Sequence, residues 1–197
     1  IKKEILKEIE IEEYRLDEDV ELTEKYPLTI DQQRVVDEIL NDKENNTFLI
    51  HGVTGSGKTE VYMQLCESVV NSGKSVIMLV PEISLTTQIV RRFYDRFGSN
   101  VAIFHSNLSD GEKYDEYKKI MNGEVKIVVG TRSAIFTPLK DIGLIIIDEE
   151  HSQNYKQDNN PRYHALDIAK WRSGYHKCPL VLGSATPSLE SMARAQK

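Results

Sequence analysis

The chain has 197 residues, 40% hydrophobic and 28% charged, with a formal net charge of −6. That is enough for one domain with a sizeable core, short for a complete multidomain machine, and ordinary for a soluble globular protein. No apolar run approaches the ~18 residues that span a bilayer, no signal-peptide pattern opens the chain, and Cys66 and Cys178 alone exclude a disulfide framework or a cysteine-built metal site.

Residue 1 is Ile rather than Met, and with no span and no signal pattern the chain reads as a cytosolic fragment of something longer; no membrane contact is expected, and the fragment is expected to be monomeric. Residues 1–25 hold ten acids and five bases, leaving a net charge of −1 for everything after them. With no basic face to attract nucleic acid at long range, such a partner has to be argued from local motifs. The alternation in "EIEIEE" suits an edge strand, a helix end or a solvated linker, and Pro27 marks a boundary. Residues 1–27 are therefore expected to be an acidic linker or the end of a preceding domain, and 28–197 one folded domain.

From Leu28 onward, short runs rich in Val and Ile alternate with amphipathic stretches of helical length. "TFLIH", "SVIMLV", "VAIF", "KIVVG", "LIIID" and "PLVLG" read as strands. Because their apolar residues are mostly successive, they suit strands covered on both faces, as in a mainly parallel β-sheet flanked by helices on both faces. Helices are expected at 31–41, 58–71, 84–97, 109–122, 164–173 and 188–196. Ser109 and Glu112 have capping-box spacing, and Gly73 lies just beyond a helix end. The fold class is α/β.

"GVTGSGKT", Gly52 to Thr59, follows a strand and opens a helix, the context in which G-x-x-x-x-G-K-[ST] holds a nucleoside triphosphate. Glycines let the backbone of Gly52, Thr54, Gly55, Ser56 and Gly57 curl its amides toward one anion, and the helix adds its positive end. Lys58 reaches the β and γ phosphates, and the Thr59 hydroxyl suits Mg²⁺. "LIIIDEEH" delivers carboxylates to the carboxyl end of a strand, where ligands of open α/β sheets bind. There Asp148 suits Mg²⁺ and Glu149 suits polarising the attacking water; by itself "DEEH" also reads as an acidic helix cap.

"PEISLT" and "GTRSAIF" each follow an apolar strand. Their hydroxyls, amides and arginine suit a phosphodiester backbone, and equally an ordinary strand-to-helix connection with N-caps. "HSQNYKQDNNPRYH", 151–164, carries tyrosines that suit base stacking and basic groups that suit phosphates; an ordinary surface loop has the same composition. Trp171, on a helix-like stretch, suits core or interface packing, and His105 a structural or backbone-contacting role.

The order "GVTGSGKT", "PEISLT", "GTRSAIF", "DEEH", "GSAT" resembles motifs I, Ia, Ib, II and III of the superfamily 2 helicases. Within that superfamily, "GTRSAIFTP", "DEEHSQNYKQ", "PRYHALDIA" and "GSATPSLES" resemble the bacterial primosomal replication-restart helicases. The resemblance covers most of the chain from Leu28. It implies a RecA-like P-loop domain, the first of two motor domains, that uses ATP and Mg²⁺ in an ATP-dependent helicase moving 3′ to 5′ on single-stranded and forked DNA, among primosome and replication-restart proteins. It implies Gln32 of "LTIDQ" as the adenine-reading amide, with Gln33 its alternative. It places Pro81, Ser84, Thr86, Thr131, Arg132 and Ser133 along the single-strand path. It also likens 151–164 to an aromatic-rich loop coupling DNA to hydrolysis, with Tyr155, Lys156, Arg162 and Tyr163 as contacts. It further implies that Ser184 and Thr186 of "GSAT" couple to the acids through His151. A zinc module and a second motor domain are implied outside these residues, so the chain alone is expected to bind nucleotide weakly and hydrolyse it poorly. A related superfamily 2 translocase or repair helicase, or a non-motor P-loop switch, are the competing readings.

Overall fold

The structure, a computed structural model, describes residues 27–42, 44, 46–85 and 87–195. The acidic stretch 1–26 and Thr86 therefore lie outside the described residues.

Six strands form one sheet in the order β1-β8-β5-β2-β4-β3, every pairing parallel. They are β1 (Thr47–His51), β2 (Ser75–Leu79), β3 (Val101–Phe104), β4 (Ile127–Gly130), β5 (Ile142–Ile147) and β8 (Leu180–Ser184). The continuous apolar runs are explained by cover on both sides, since successive side chains of a strand point to opposite faces. Val76, Met78 and Val80 pack on one face with Val61, Tyr62, Leu65 and Phe93. Ile77 and Leu79 pack on the other with Ile120, Ile135, Tyr155 and Ala169. Helices α1 (Ile30–Asn41), α2 (Lys58–Asn71) and α3 (Thr87–Phe97) thus cover the first face, and α4 (Asp110–Asn122) and α5 (Ala165–His176) the second. Among the described residues no helix is long and apolar enough to cross a membrane.

Local chemistry sets the helix ends. Ser109 and Glu112 close the expected capping box of α4. Thr29 and Gln32 form a second one on α1: Thr29 Oγ1 accepts from the Gln32 amide and the Gln32 side chain accepts from the Thr29 amide. The helix expected at 84–97 begins later. Glu82–Ser84 form a 3₁₀ turn after Pro81, and Leu85 breaks it with a non-helical backbone (φ −77°, ψ 67°) before α3 starts. At the other extreme α5 runs on to His176 and stops where Lys177 turns left-handed at φ 51°. The stretch 151–164 contains a small antiparallel hairpin, β6 (Lys156–Gln157) with β7 (Tyr163–His164). A short α6 (Leu189–Ala195) follows β8.

Trp171 is 67% exposed and stacks on Tyr175 at 5.4 Å between ring centroids, so it takes no part in the core. Cys66 and Cys178 are buried free thiols, the first pushed up to about 12 and the second to about 11 by burial.

Candidate nucleotide and nucleic-acid site

The carboxyl ends of β1, β8, β5 and β2 converge on the phosphate loop. The Gly52 amide donates to Ser184 O (3.2 Å), the Asp148 amide to Leu79 O (2.9 Å) and the Glu150 amide to Gly183 O (3.0 Å). The loop from 52 to 57 is thereby pinned beside the acids of β5. Gly55 and Gly57 both sit at φ +82°, a region that only glycine enters freely, and a Cβ on Gly57 would meet Gln32 Nε2 at 2.4 Å. No side chain caps α2, whose first turn begins at Lys58, so its amides face the loop, as anion sites at helix ends require. Lys58 Nζ donates to Gly52 O (2.7 Å), holding the loop closed from inside.

Thr54, Gly55, Gly57, Lys58, Thr59, Glu60, Arg92, Asp148 and Glu149 line one cleft of about 290 Å³. It brings together most of the residues expected for phosphate and Mg²⁺. Gln32 reaches the loop from α1, its Nε2 donating to Ser56 O (3.0 Å), whereas Gln33 pairs with Asp37 on its own helix. Of the two amides, Gln32 is the one tied to the phosphate loop.

Two tyrosines fix Asp148. Tyr62, fully buried on α2, donates its hydroxyl to Asp148 Oδ1 (3.0 Å). Tyr155, equally buried, donates to the Asp148 and Leu79 carbonyls. Burial keeps both phenols protonated and therefore donors. Burial also raises the Asp148 carboxyl above its ordinary range, against the hydrogen bond from Tyr62, and the neighbouring Glu149 charge pushes the same way. A carboxylate whose ionised form is penalised, beside a threonine hydroxyl and a second carboxylate, fits a hard divalent cation. Among the described residues no three His, Cys, Asp or Glu gather as a metal cage. Mg²⁺ binds through one or two carboxylates and its nucleotide's own phosphates, and the carboxylates that line this cleft are of the kind such an ion takes.

The raised Asp148 has a consequence for stability. A carboxyl with a folded pKa above its unfolded one contributes stability below the unfolded value and loses it as pH rises through the folded value. Asp148→Asn, whose amide oxygen can still accept from Tyr62, is expected to melt higher than wild type at neutral pH without nucleotide or divalent cation. The two should converge below about pH 4, the ordinary aspartate range. Thermal melts across pH check this, and an Asn variant that melts lower at neutral pH would refute it.

Glu149 has φ +47°, a left-handed backbone that non-glycine residues adopt at a cost. The next acid does something different: Glu150, 5% exposed, accepts from the Ser188 amide (2.7 Å) and the Ser191 hydroxyl (3.0 Å) at the start of α6. The acidic-cap reading of "DEEH" thus falls on Glu150, while Asp148 and Glu149 face the cleft. His151 Nδ1 is hydrogen-bonded to Ser184 Oγ (2.8 Å) and lies 3.6 Å from Glu149 Oε2. Its Nε2 is 3.5 Å from Thr186 Oγ1. "DEEH" and "GSAT" are thus physically joined through one imidazole.

Along the adjacent edge the expected nucleic-acid contacts divide. Tyr155 is 0% and Thr131 3% exposed, and Pro81 is also buried, so their side chains offer nothing to a strand outside. The aromatic ring of Tyr155 fills the space between its loop and β2, and the Thr131 amide is tied to Phe104 O (3.1 Å). Ser84 and Ser133 remain partly accessible. Arg132 donates to Lys156 O, holding the hairpin against the "GTRSAIF" turn, and its guanidinium lies 5.7 Å from the Tyr163 ring centroid. Lys156 and Arg162 are exposed, the first paired with Asp158 at 3.0 Å and the second donating Nε to Asp158 O.

Phe136 completes this edge and sequence reasoning assigned it no role. It is 54% exposed and packs edge-on to Tyr163, with centroids 4.9 Å apart. A large aromatic closing "GTRSAIF" before Thr-Pro was the available signal. His105 is half-buried, its carbonyl accepting from the Leu108 amide.

Residues 29–195 match the DEAD/DEAH box helicase family model. The replication restart protein PriA of Bacillus subtilis is 57% identical over 204 residues, covering 100% of this chain and 25% of that protein. PriA of Synechocystis is 53% identical over 165 residues, covering 83% of this chain and 20% of that protein. The chain thus spans about a quarter of the length of these curated relatives. Among solved structures, RecG bound to a three-way DNA junction is similar with a TM-score of 0.63 at 29% identity, over 86% of this chain and 22% of that one. The Pyrococcus furiosus Hef helicase domain shares the fold with a TM-score of 0.61 at 24% identity, over 85% of this chain and 35% of that one. The chain belongs to the DEAD/DEAH box helicase family, with a sequence close to that of the replication restart PriA proteins.

Proposed function

We propose that this chain is the first RecA-like motor domain, within 28–197, of an ATP-dependent 3′-to-5′ DNA helicase that acts at stalled or forked DNA in the bacterial cytoplasm to restart replication. The observation that carries the reading is the imidazole of His151, which links the strand bearing the hydrolytic acids to "GSAT" on β8. A switch that only binds partners has no need of that link. A motor does, because nucleic-acid occupancy has to alter the geometry at the γ-phosphate.

In this reading the amides of 52–57 and Lys58 hold the phosphates, and Gln32 ties adenine recognition to the loop it already contacts. Thr59 and Asp148 would hold Mg²⁺, which supplies charge neutralisation at the β and γ oxygens. Glu149 accepts a proton from the attacking water, and Tyr62 and Tyr155 keep the neighbouring Asp148 from turning away. Arg132 with Tyr163 and Phe136, flanked by Ser84, Ser133, Lys156 and Arg162, forms the DNA-facing edge, where exposed rings stack on unpaired bases at ~1–3 kcal/mol each. The three-way junction bound by the similar RecG supports branched DNA as substrate, and the PriA relatives support a place among primosome proteins.

The test is ATP hydrolysis by the longest protein carrying this chain with no nucleic acid, single-stranded DNA, forked DNA and RNA. Stimulation should be strongest with forked DNA, and the 197-residue chain alone should turn over poorly. Equal hydrolysis in every condition would remove the motor reading.

A further inference from the structure

Helix α3 brings one more cation to the nucleotide cleft. Arg92 lines it beside Lys58, Thr59, Asp148 and Glu149. Its Nη2 stands 3.6 Å from Glu60 Oε2, and 40% of its side chain is exposed. Glu60 itself is 7% exposed and has a second, better partner. Arg96, with only 7% of its side chain exposed, donates Nη1 to Glu60 Oε1 and Nη2 to Glu67 Oε2 (3.2 Å).

The two arginines are therefore not equivalent. Removing Arg96 would strand a buried carboxylate, which is costly. Arg92 makes a long, half-exposed pair of little worth, so it can leave Glu60 without leaving a charge unpaired. The cleft needs such a group: three carboxylates line it, Glu60, Asp148 and Glu149, and Lys58 is the other cation there. A triphosphate brings more negative charge than one lysine offsets, and a guanidinium fork matches phosphate oxygens in pairs.

We propose that Arg92 is a γ-phosphate-contacting residue supplied from within the same domain, swinging from Glu60 onto the terminal phosphate so that the cleft distinguishes ATP from ADP. This rests on the cleft being the ATP site. The loop amides serve the phosphates that ADP shares and Lys58 spans β and γ, so a contact of Arg92 confined to the γ-phosphate is a contribution that ADP lacks.

The experiment is equilibrium binding of a non-hydrolysable ATP analogue and of ADP to the 197-residue chain, wild type against Arg92→Gln and Arg92→Lys, with a thermal melt of each. Arg92→Gln should weaken the ATP analogue by about tenfold, leave ADP within about twofold and leave the melt unchanged. Arg92→Lys, which keeps the charge but not the fork, should lose less and in the same direction, and gives the same readout should the Gln variant fail to fold. Equal losses for both nucleotides, or no loss for either, would overturn the proposal while the ATP site stands. Wild type that binds neither nucleotide would overturn the site reading and the proposal with it.

Discussion

Glu149→Gln is expected to lower ATP hydrolysis by roughly 10²–10⁴-fold, the range for removing a positioned general base, while nucleotide binding stays close to wild type. The backbone makes this substitution unusually informative. Glu149 is held at φ +47°, and Gln bears the same strain as Glu, so the Gln variant changes the chemistry without changing the conformational cost. Glu149→Gly changes both. It loses the base and also relieves about 1 kcal/mol of left-handed strain, so it should melt roughly 2–4 °C above Glu149→Gln while hydrolysing no better. A Gly variant that melts lower would mean the turn is stabilised by contacts of the side chain itself. Hydrolysis retained by the Gln variant would move the base elsewhere, with His151, 3.6 Å away, the nearest candidate.

What the sequence made legible follows from which signals are local. All six strands of the main sheet were visible because parallel strands covered on both faces are apolar at successive positions, as Ile142–Ile147 is. The phosphate loop and the acids after β5 were visible because G-x-x-x-x-G-K-[ST] and an apolar strand ending in carboxylates are patterns of residue type and spacing carried within a few neighbouring residues. Features fixed by tertiary contact were not. Tyr155 sits in a polar loop and looked like a base-stacking ring, but the loop folds back on β2 and the hydroxyl is used on the Asp148 and Leu79 carbonyls. The strands at Lys156–Gln157 and Tyr163–His164 are two residues each, too short for any periodicity to register. "DEEH" showed three acids in a row but not that the left-handed turn at Glu149 sends Glu150 away to cap α6. Arg92 read as one more charge on an amphipathic helix, and only the placement of α3 beside the loop sets it apart.

Gly183→Ala should be the most damaging single-methyl change near the cleft. "GSAT" drew attention to its hydroxyls, yet the glycine answers to a harder constraint. A Cβ there would lie 1.6 Å from the Tyr62 hydroxyl oxygen and 2.8 Å from its ring carbon Cζ, with Asp148 Oδ1 at 3.3 Å. Tyr62 is 0% exposed and cannot step aside without moving α2. The variant should lose about 3 kcal/mol or more, the upper range for overpacking, and should need more divalent cation for nucleotide binding because the Tyr62 bond to Asp148 is broken. A double-mutant cycle separates this clash from a general intolerance of β8. Tyr62→Phe removes the oxygen that the new methyl strikes, so Gly183→Ala should cost less in the Phe background than in wild type, with a coupling of about 1–3 kcal/mol. Additive losses would show that the methyl is rejected by the strand and not by the tyrosine, and the Tyr62–Asp148 contact would lose its standing as the reason residue 183 has no side chain.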